Sequence, residues 1–322
     1  MGKTFLTIEE QMDLLESRGV RRSDSERHAL MREGYYSIVN GYKQPFLDKE
    51  KTTLHLDDRY LDGTSFDDLF ALFSFDRSLR ALTFRNLIKA EATTRTAIAY
   101  TFANAHRSQD AYLLQESYCT ESEYLEYDKS GNSYADELSG LTSILKRTRD
   151  KSDSEFISHY RESHGSVPIW VLCNALTFGN IQHFFNLMKP NEKVSVCKMM
   201  AESTDRKGSK SLGYFDVGEA RVSLEVLVKY RNLCAHDERL YFAHVGARKN
   251  VGYSKMIWML ERFLTEIEFY HFLLELTNLV KGYLDTNGTG ANLMDDLGFT
   301  EVLTKVNERV GSDDRGSNIK SC

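Results

Sequence analysis

SFDDLFALFSFDRSLRALTFRNLIKAEATTRTAIAYTFA, residues 65–103, carries apolar side chains every three to four positions and contains no proline. Ser65 followed by Asp68 is a capping pattern, so the run reads as one long helix that starts just after Ser65. Within it Phe84, Ile88, Glu91 and Arg95 are spaced four, three and four apart, so a carboxylate and a guanidinium continue an apolar stripe. That placement makes an i to i+4 ion pair, partly shielded from water. Arg95 then has two readings: a structural salt bridge, or a cation facing a phosphate.

Prolines are scarce on either side of this run. The chain has 3, Pro45, Pro168 and Pro190, which leaves long stretches free of the residue that most strongly breaks helices. Upstream, TIEEQMDLLESRG (7–19) opens with a Thr cap and stops at Gly19, a short helix follows Ser23 or Ser25, YYSIVNGYKQPFLD (35–48) reads as a packed helix end and turn, and 49–63 as a polar loop. Downstream, 116–137 is acidic and tyrosine-rich and reads as an insertion or solvated surface, followed by an amphipathic helix over 138–163. PIWVLCNALTFGNIQHFFNLM (168–188) begins with Pro168 at a helix start and is apolar almost all round, which predicts a central buried helix with His183 as a core histidine making one hydrogen bond. A further long amphipathic helix is expected over 254–284. There is no internal repeat and no strand alternation, so the class is all-α: an N-terminal helical extension (1–63), a helical core (64–308) with an insertion near 116–137, and a flexible tail (309–322).

Of 322 residues 41% are hydrophobic and 11% aromatic, ample for a core, and the net charge of -6 gives no global pull toward nucleic acid or anionic lipid. The five cysteines are scattered, with no C-x-x-C pair, which predicts reduced thiols. MGKTFLTIEEQ turns polar before a signal-peptide core develops, position 6 is Leu where an acylation signal needs Ser or Thr, and no segment approaches the ~20 apolar residues of a membrane span. A cytoplasmic protein without membrane contact is expected.

Near the three-quarter mark stands YRNLCAHDERLYF, residues 230–242. The motif belongs to a helix whose apolar side includes Leu227, Tyr230, Leu233 and Cys234, so Asn232, His236 and Arg239 share one face, with Arg231 about 140° around from His236 but long enough to swing toward it. Cys234 and His236 lie about 200° apart on such a helix and cannot form a thiolate–imidazole pair. Imidazole beside guanidinium and amide suits phosphodiester chemistry: the guanidinium holds a nonbridging oxygen while His moves a proton. In RNA the 2′-hydroxyl is a built-in nucleophile, so no metal or other cofactor is needed. Cleavage benefits from an acid and a base, and one motif offers one histidine; a two-fold dimer supplies both. A structural reading stays open, because Arg and His at a helix end also cap carbonyls or pair with Asp237 and Glu238. Arg206, Lys207 and Lys210 in the loop before the motif helix, and Arg248 and Lys249 after it, add candidate polyanion contacts.

The R-N-L-C-A-H pattern resembles the signature of the HEPN superfamily of α-helical ribonucleases and RNA-binding proteins. The succession TIEEQMDLLESRG, YYSIVNGYKQPF, FDRSLRALTFRNLIKAEATTRTAIAY, PIWVLCNALTFGNIQHFFNLM and LVKYRNLCAHDERLYF is similar to abortive-infection proteins of the AbiD/AbiF type, over roughly residues 7–245. The resemblance implies a HEPN-type helical bundle acting as a homodimer, with Arg231 and His236 catalytic and Asn232 as the polar position between them. It also implies phage defence or toxicity through metal-independent endoribonuclease activity, and possible control by a small noncoding RNA. Arg239, Arg95, Arg206, Lys207 and Lys210 would then contact RNA. The alternatives are a noncatalytic RNA-binding protein and a protein-interaction scaffold.

Overall fold

In the computed structural model, which describes residues 4–127, 131–204, 213–246, 250–286, 298–300 and 302–304, the chain is all-α. Among the described residues extended backbone pairs only as isolated bridges, Arg21 with Ser65, Leu47 with Tyr60 and Val245 with Val251. The chain divides into two units, Met1–Leu82 with Asp237–Ala243 and Leu273–Cys322, and Thr83–His236 with His244–Phe272.

In the first unit α1 (Ile8–Ser17) starts at Thr7 with the reciprocal bonds of a capping box: Glu10 N donates to the Thr7 hydroxyl (3.3 Å) and Thr7 N to the Glu10 carboxylate (2.7 Å). The second helix, α2 (Glu26–Glu33), follows Ser25. A π-helical turn at Tyr36–Asn40 then places Ile38 and Val39 in the core, and a 3₁₀ turn covers Gln44–Phe46. The expected polar loop at 49–63 is corrected in part, because Lys49–His55 is a helix, α3, begun by the Asp48 carboxylate accepting from Lys51 N at 2.9 Å. None of its residues is buried, so there was no apolar period to read. The long run forms α4 (Phe66–Ala105) over 40 residues, and Ser65 and Asp68 exchange the expected bonds at its start.

The first unit's core is aromatic. Tyr42 stacks on Tyr241 at 5.5 Å and meets Phe73 edge-on at 5.6 Å. At its centre the fully buried Asp76 of α4 accepts hydrogen bonds from Tyr42 Oη (2.7 Å), Tyr241 N (2.6 Å) and Leu240 N (3.1 Å), and pairs with the buried Arg80 one turn on. Burial pushes the Asp76 carboxyl above its ordinary value, opposed by Tyr42, Arg80 and the two backbone N–H groups. Arg80 Nη2 reaches on to Asp237 Oδ1 at 2.6 Å. One turn of α4 therefore fixes residues 237–241.

The second unit continues with α4 from Thr83 and adds α5 (Glu121–Tyr127), α6 (Tyr134–Lys151), α7 (Glu155–His164), α8 (Ile169–Leu172), α9 (Phe178–Leu187), α10 (Pro190–Ser203), α11 (Val217–Ala235), α12 (Tyr253–Leu260) and the first turns of α13 (Glu266–Thr286). Helix α11 packs against α9, α10 and α12, and α6 packs against α5, α7, α8 and α9. Phe102 and Phe184 meet edge-on at 5.0 Å, and Tyr230 donates to Val251 O at 3.0 Å.

Three expected long helices are each two. Residues 138–163 break at Ser152–Ser154; 168–188 break after a 3₁₀ turn at Cys173–Ala175; 254–284 break after a 3₁₀ turn at Glu261–Phe263. The apolar period runs on across the last two breaks, but capping threonines restart the helix. Thr177 exchanges bonds with Asn180, and Thr265 with Glu268. Thr177→Ala is expected to lower the unfolding free energy by about 1 kcal/mol; no change in urea denaturation would show the cap to be idle. His183 makes the single expected bond, Nδ1 to Glu137 Oε2 at 2.6 Å, but its side chain is 43% exposed rather than in the core. The 116–137 stretch is also corrected: Tyr118, Tyr124 and Tyr134 are buried, and the Tyr118 and Tyr134 hydroxyls donate to Tyr112 O and Cys119 O. Glu116, Glu121 and Glu126 are exposed while these three rings enter the core, a division that net composition does not show. No helix among the described residues is long and apolar enough to cross a membrane.

Candidate functional site

Helix α11 is begun by Asp216, whose carboxylate accepts from Gly218 N (2.8 Å) and Glu219 N (3.2 Å), and it ends inside the motif. His236 is the capping residue, its N–H bonded to Asn232 O at 2.9 Å, and Asp237 takes a left-handed backbone at φ 57°. A left-handed residue after the cap is how helices commonly stop; Asp is among the few non-glycine residues that accept it. The helical face expected to run from Asn232 through His236 to Arg239 is therefore cut short. In the first unit, Arg239 Nη1 donates instead to Gly41 O at 3.0 Å.

In the second unit, Arg231 turns toward α4. Its Nε donates to Glu91 Oε2 at 3.3 Å, and its guanidinium lies 5.8 Å from the Phe84 ring centre. Arg95 Nη2 donates to the other oxygen of the same carboxylate at 2.8 Å, so the i to i+4 pair is present. The side chains of Glu91, Arg95 and Arg231 are 8%, 22% and 27% exposed. A nearly buried carboxylate thus bridges two half-buried guanidiniums, which leaves a net positive charge. Asn232 and His236, one turn apart at the end of α11, are exposed. The cluster can hold an anion with two oriented guanidiniums, and the exposed imidazole can exchange protons with a bound group.

The structure thus brings Arg95 and Arg231 together and keeps Asn232 and His236 on the exposed last turn, while Arg239 is bonded to Gly41 O within the first unit. Arg206, Lys207 and Lys210 lie outside the described residues, as do Arg248 and Lys249. Sequence reading missed the link from Glu91 to Arg231, 140 residues apart. It also missed Asp76 and Arg80, whose D-x-x-x-R spacing inside an apolar run was the available signal.

Cysteine chemistry has little scope in the core. Burial pushes the Cys173 thiol up to about 12, with the nearby Arg95 charge pulling the other way, and pushes Cys197 up to about 12 as well. Cys119 is also raised by burial. Iodoacetamide on the native protein at neutral pH is expected to spare Cys119, Cys173 and Cys197 and to label the half-exposed Cys234, as peptide mass spectrometry would read. Early labelling of Cys173 would contradict its burial.

A family model described as Abi-like protein matches residues 28–242, more than half of the chain. No curated protein and no solved structure matches.

Proposed function

The chain belongs to the Abi-like protein family, a group associated with abortive infection as a defence against phage, and from that premise we propose that it is a metal-independent RNA endonuclease of the HEPN type. The observation that carries the reading is the end of α11: an exposed Asn232 and His236, with Arg231 oriented one turn away by the buried Glu91 carboxylate. In this reading the 2′-hydroxyl of RNA attacks the adjacent phosphorus and gives its proton to a base. The phosphorus–5′-oxygen bond breaks, and the leaving oxygen takes a proton from an acid. The products are a 2′,3′-cyclic phosphate and a 5′-hydroxyl. His236 serves as base in one copy and as acid in the other, so the site forms across a homodimer. Arg231 holds the phosphate oxygens, and Asn232 donates a hydrogen bond. Arg95, Arg239, Arg206, Lys207 and Lys210 contact neighbouring phosphates. A cytoplasmic location follows from such a role, and a small structured RNA would act as regulator.

The purified protein should cleave single-stranded RNA in the presence of EDTA, and its activity per chain should fall on dilution as the dimer dissociates. Absence of product at any concentration would overturn the enzymatic reading. One observation favours a noncatalytic RNA-binding protein: the Arg231 guanidinium is already engaged by Glu91. That reading predicts salt-sensitive binding of RNA that stays intact.

A further inference from the structure

Fourteen residues past Glu91, where α4 ends, the second unit opens a cleft of about 560 Å³. Its rim carries Tyr100, Asn104 and Arg107 from the end of α4 and the turn after it, with Trp170 of α8 also in the lining. Tyr100 is 63% exposed and Trp170 56%. Large rings left in solvent at the mouth of a cleft are out of keeping with a core role, since burying either would remove much apolar surface from water.

The walls are fixed in place. Tyr112 Oη donates to Val167 O at 2.8 Å, tying the loop after α4 to the segment before Trp170. Asp110, left-handed at φ 56°, lies 2.9 Å from the same Tyr112 Oη, whose one proton it shares with Val167 O, and accepts from Arg149 (2.8 Å), which also pairs with Asp150. His106 pairs with the buried Glu192 at 2.7 Å. The exposed cation at the rim is Arg107, which folds its Nε onto Asn104 O at 3.0 Å. The cleft therefore offers aromatic faces, amide and hydroxyl groups and a guanidinium in a preformed frame, in the size range of small-ligand sites.

We propose that this cleft binds one unpaired nucleotide of the RNA strand, its base stacked on Trp170 and Tyr100 and its phosphate on Arg107. The assignment deepens the ribonuclease reading, on which its choice of ligand rests. Aromatic faces accept any base, and a single cation beside them suits one phosphate rather than a duplex backbone. The cleft and the Glu91–Arg95–Arg231 cluster share α4: Tyr100 lies five residues beyond Arg95, about 7.5 Å along the axis. Tyr100 also lies about 140° around the helix from Arg95, so a strand joining the two sites would wrap around α4 as it runs along it.

The test uses the full chain carrying His236→Ala, so that RNA stays intact, and a fluorescein-labelled single-stranded RNA read by anisotropy. Trp170→Ala and Tyr100→Ala should each weaken binding by about 5- to 100-fold, while Trp170→Phe keeps most of the affinity. The exposed positions should leave thermal unfolding unchanged. Affinity within about twofold of the parent in both alanine variants would overturn the proposal, as would failure of the parent to bind RNA at all. AMP and GMP serve as competitors; displacement of the RNA at concentrations equal to its own would assign the cleft to a free nucleotide instead. Unchanged affinity in Trp170→Ala while the wild-type chain cleaves RNA removes the cleft and keeps the ribonuclease. Weakened affinity where the wild-type chain makes no product does the reverse.

Discussion

His236→Ala should lose RNA cleavage by about 10²- to 10⁴-fold, the range contributed by a positioned proton-transfer group. Because His236 is exposed and its ring supports no core packing, the variant should unfold at the wild-type temperature. Arg231→Ala should lose about 10²- to 10³-fold, as expected for removing one oriented donor from developing charge. Glu91 keeps its bond to Arg95 in that variant, so the fold survives. Arg231→Lys preserves the charge but not the forked geometry, and should recover only a small part of the rate. Wild-type rates in both alanine variants would remove these residues from the chemistry and leave the motif as a helix terminator.

Asp76→Ala should cost about 3–5 kcal/mol of stability, the range for breaking a buried ion pair from one side. The substitution takes the buried carboxylate from Arg80, which is 4% exposed and keeps only Asp237 as its acidic partner, and leaves the Tyr42 hydroxyl and the N–H groups of Leu240 and Tyr241 without their acceptor. Asp76→Asn should cost less, about 1–3 kcal/mol, because one oxygen remains to accept while its amide faces Arg80 and Tyr42. Arg80 also holds Asp237, the left-handed residue directly after His236, so the same substitution should loosen residues 237–241 within the first unit. Denaturation midpoints within error of wild type for both variants would contradict the role given to Asp76.

Legibility in the sequence followed the physics of each element. The long helix α4 announced itself through its period, its Ser65 start and its Glu91–Arg95 pair, and α1 through its Thr7 cap. Helix α3 did not, because it has a cap and no apolar face. The splits in 168–188 and 254–284 were hidden because the apolar period ran on across Thr177 and Thr265; only their T-x-x-N and T-x-x-E spacing marked the restart. At the candidate site the residue types were readable, but their arrangement was not. Termination at His236 comes with a left-handed backbone at Asp237, and Arg231 finds its orientation in a carboxylate 140 residues away. Neither feature leaves a trace in local spacing.

The most direct measurement is the chemistry of the ends produced when the purified wild-type chain is incubated with single-stranded RNA in EDTA. Fragments with 2′,3′-cyclic phosphate and 5′-hydroxyl ends, absent from the His236→Ala reaction, are the expected result. Intact RNA, or fragments with 5′-phosphate and 3′-hydroxyl ends, would contradict cleavage by the 2′-hydroxyl at Arg231 and His236.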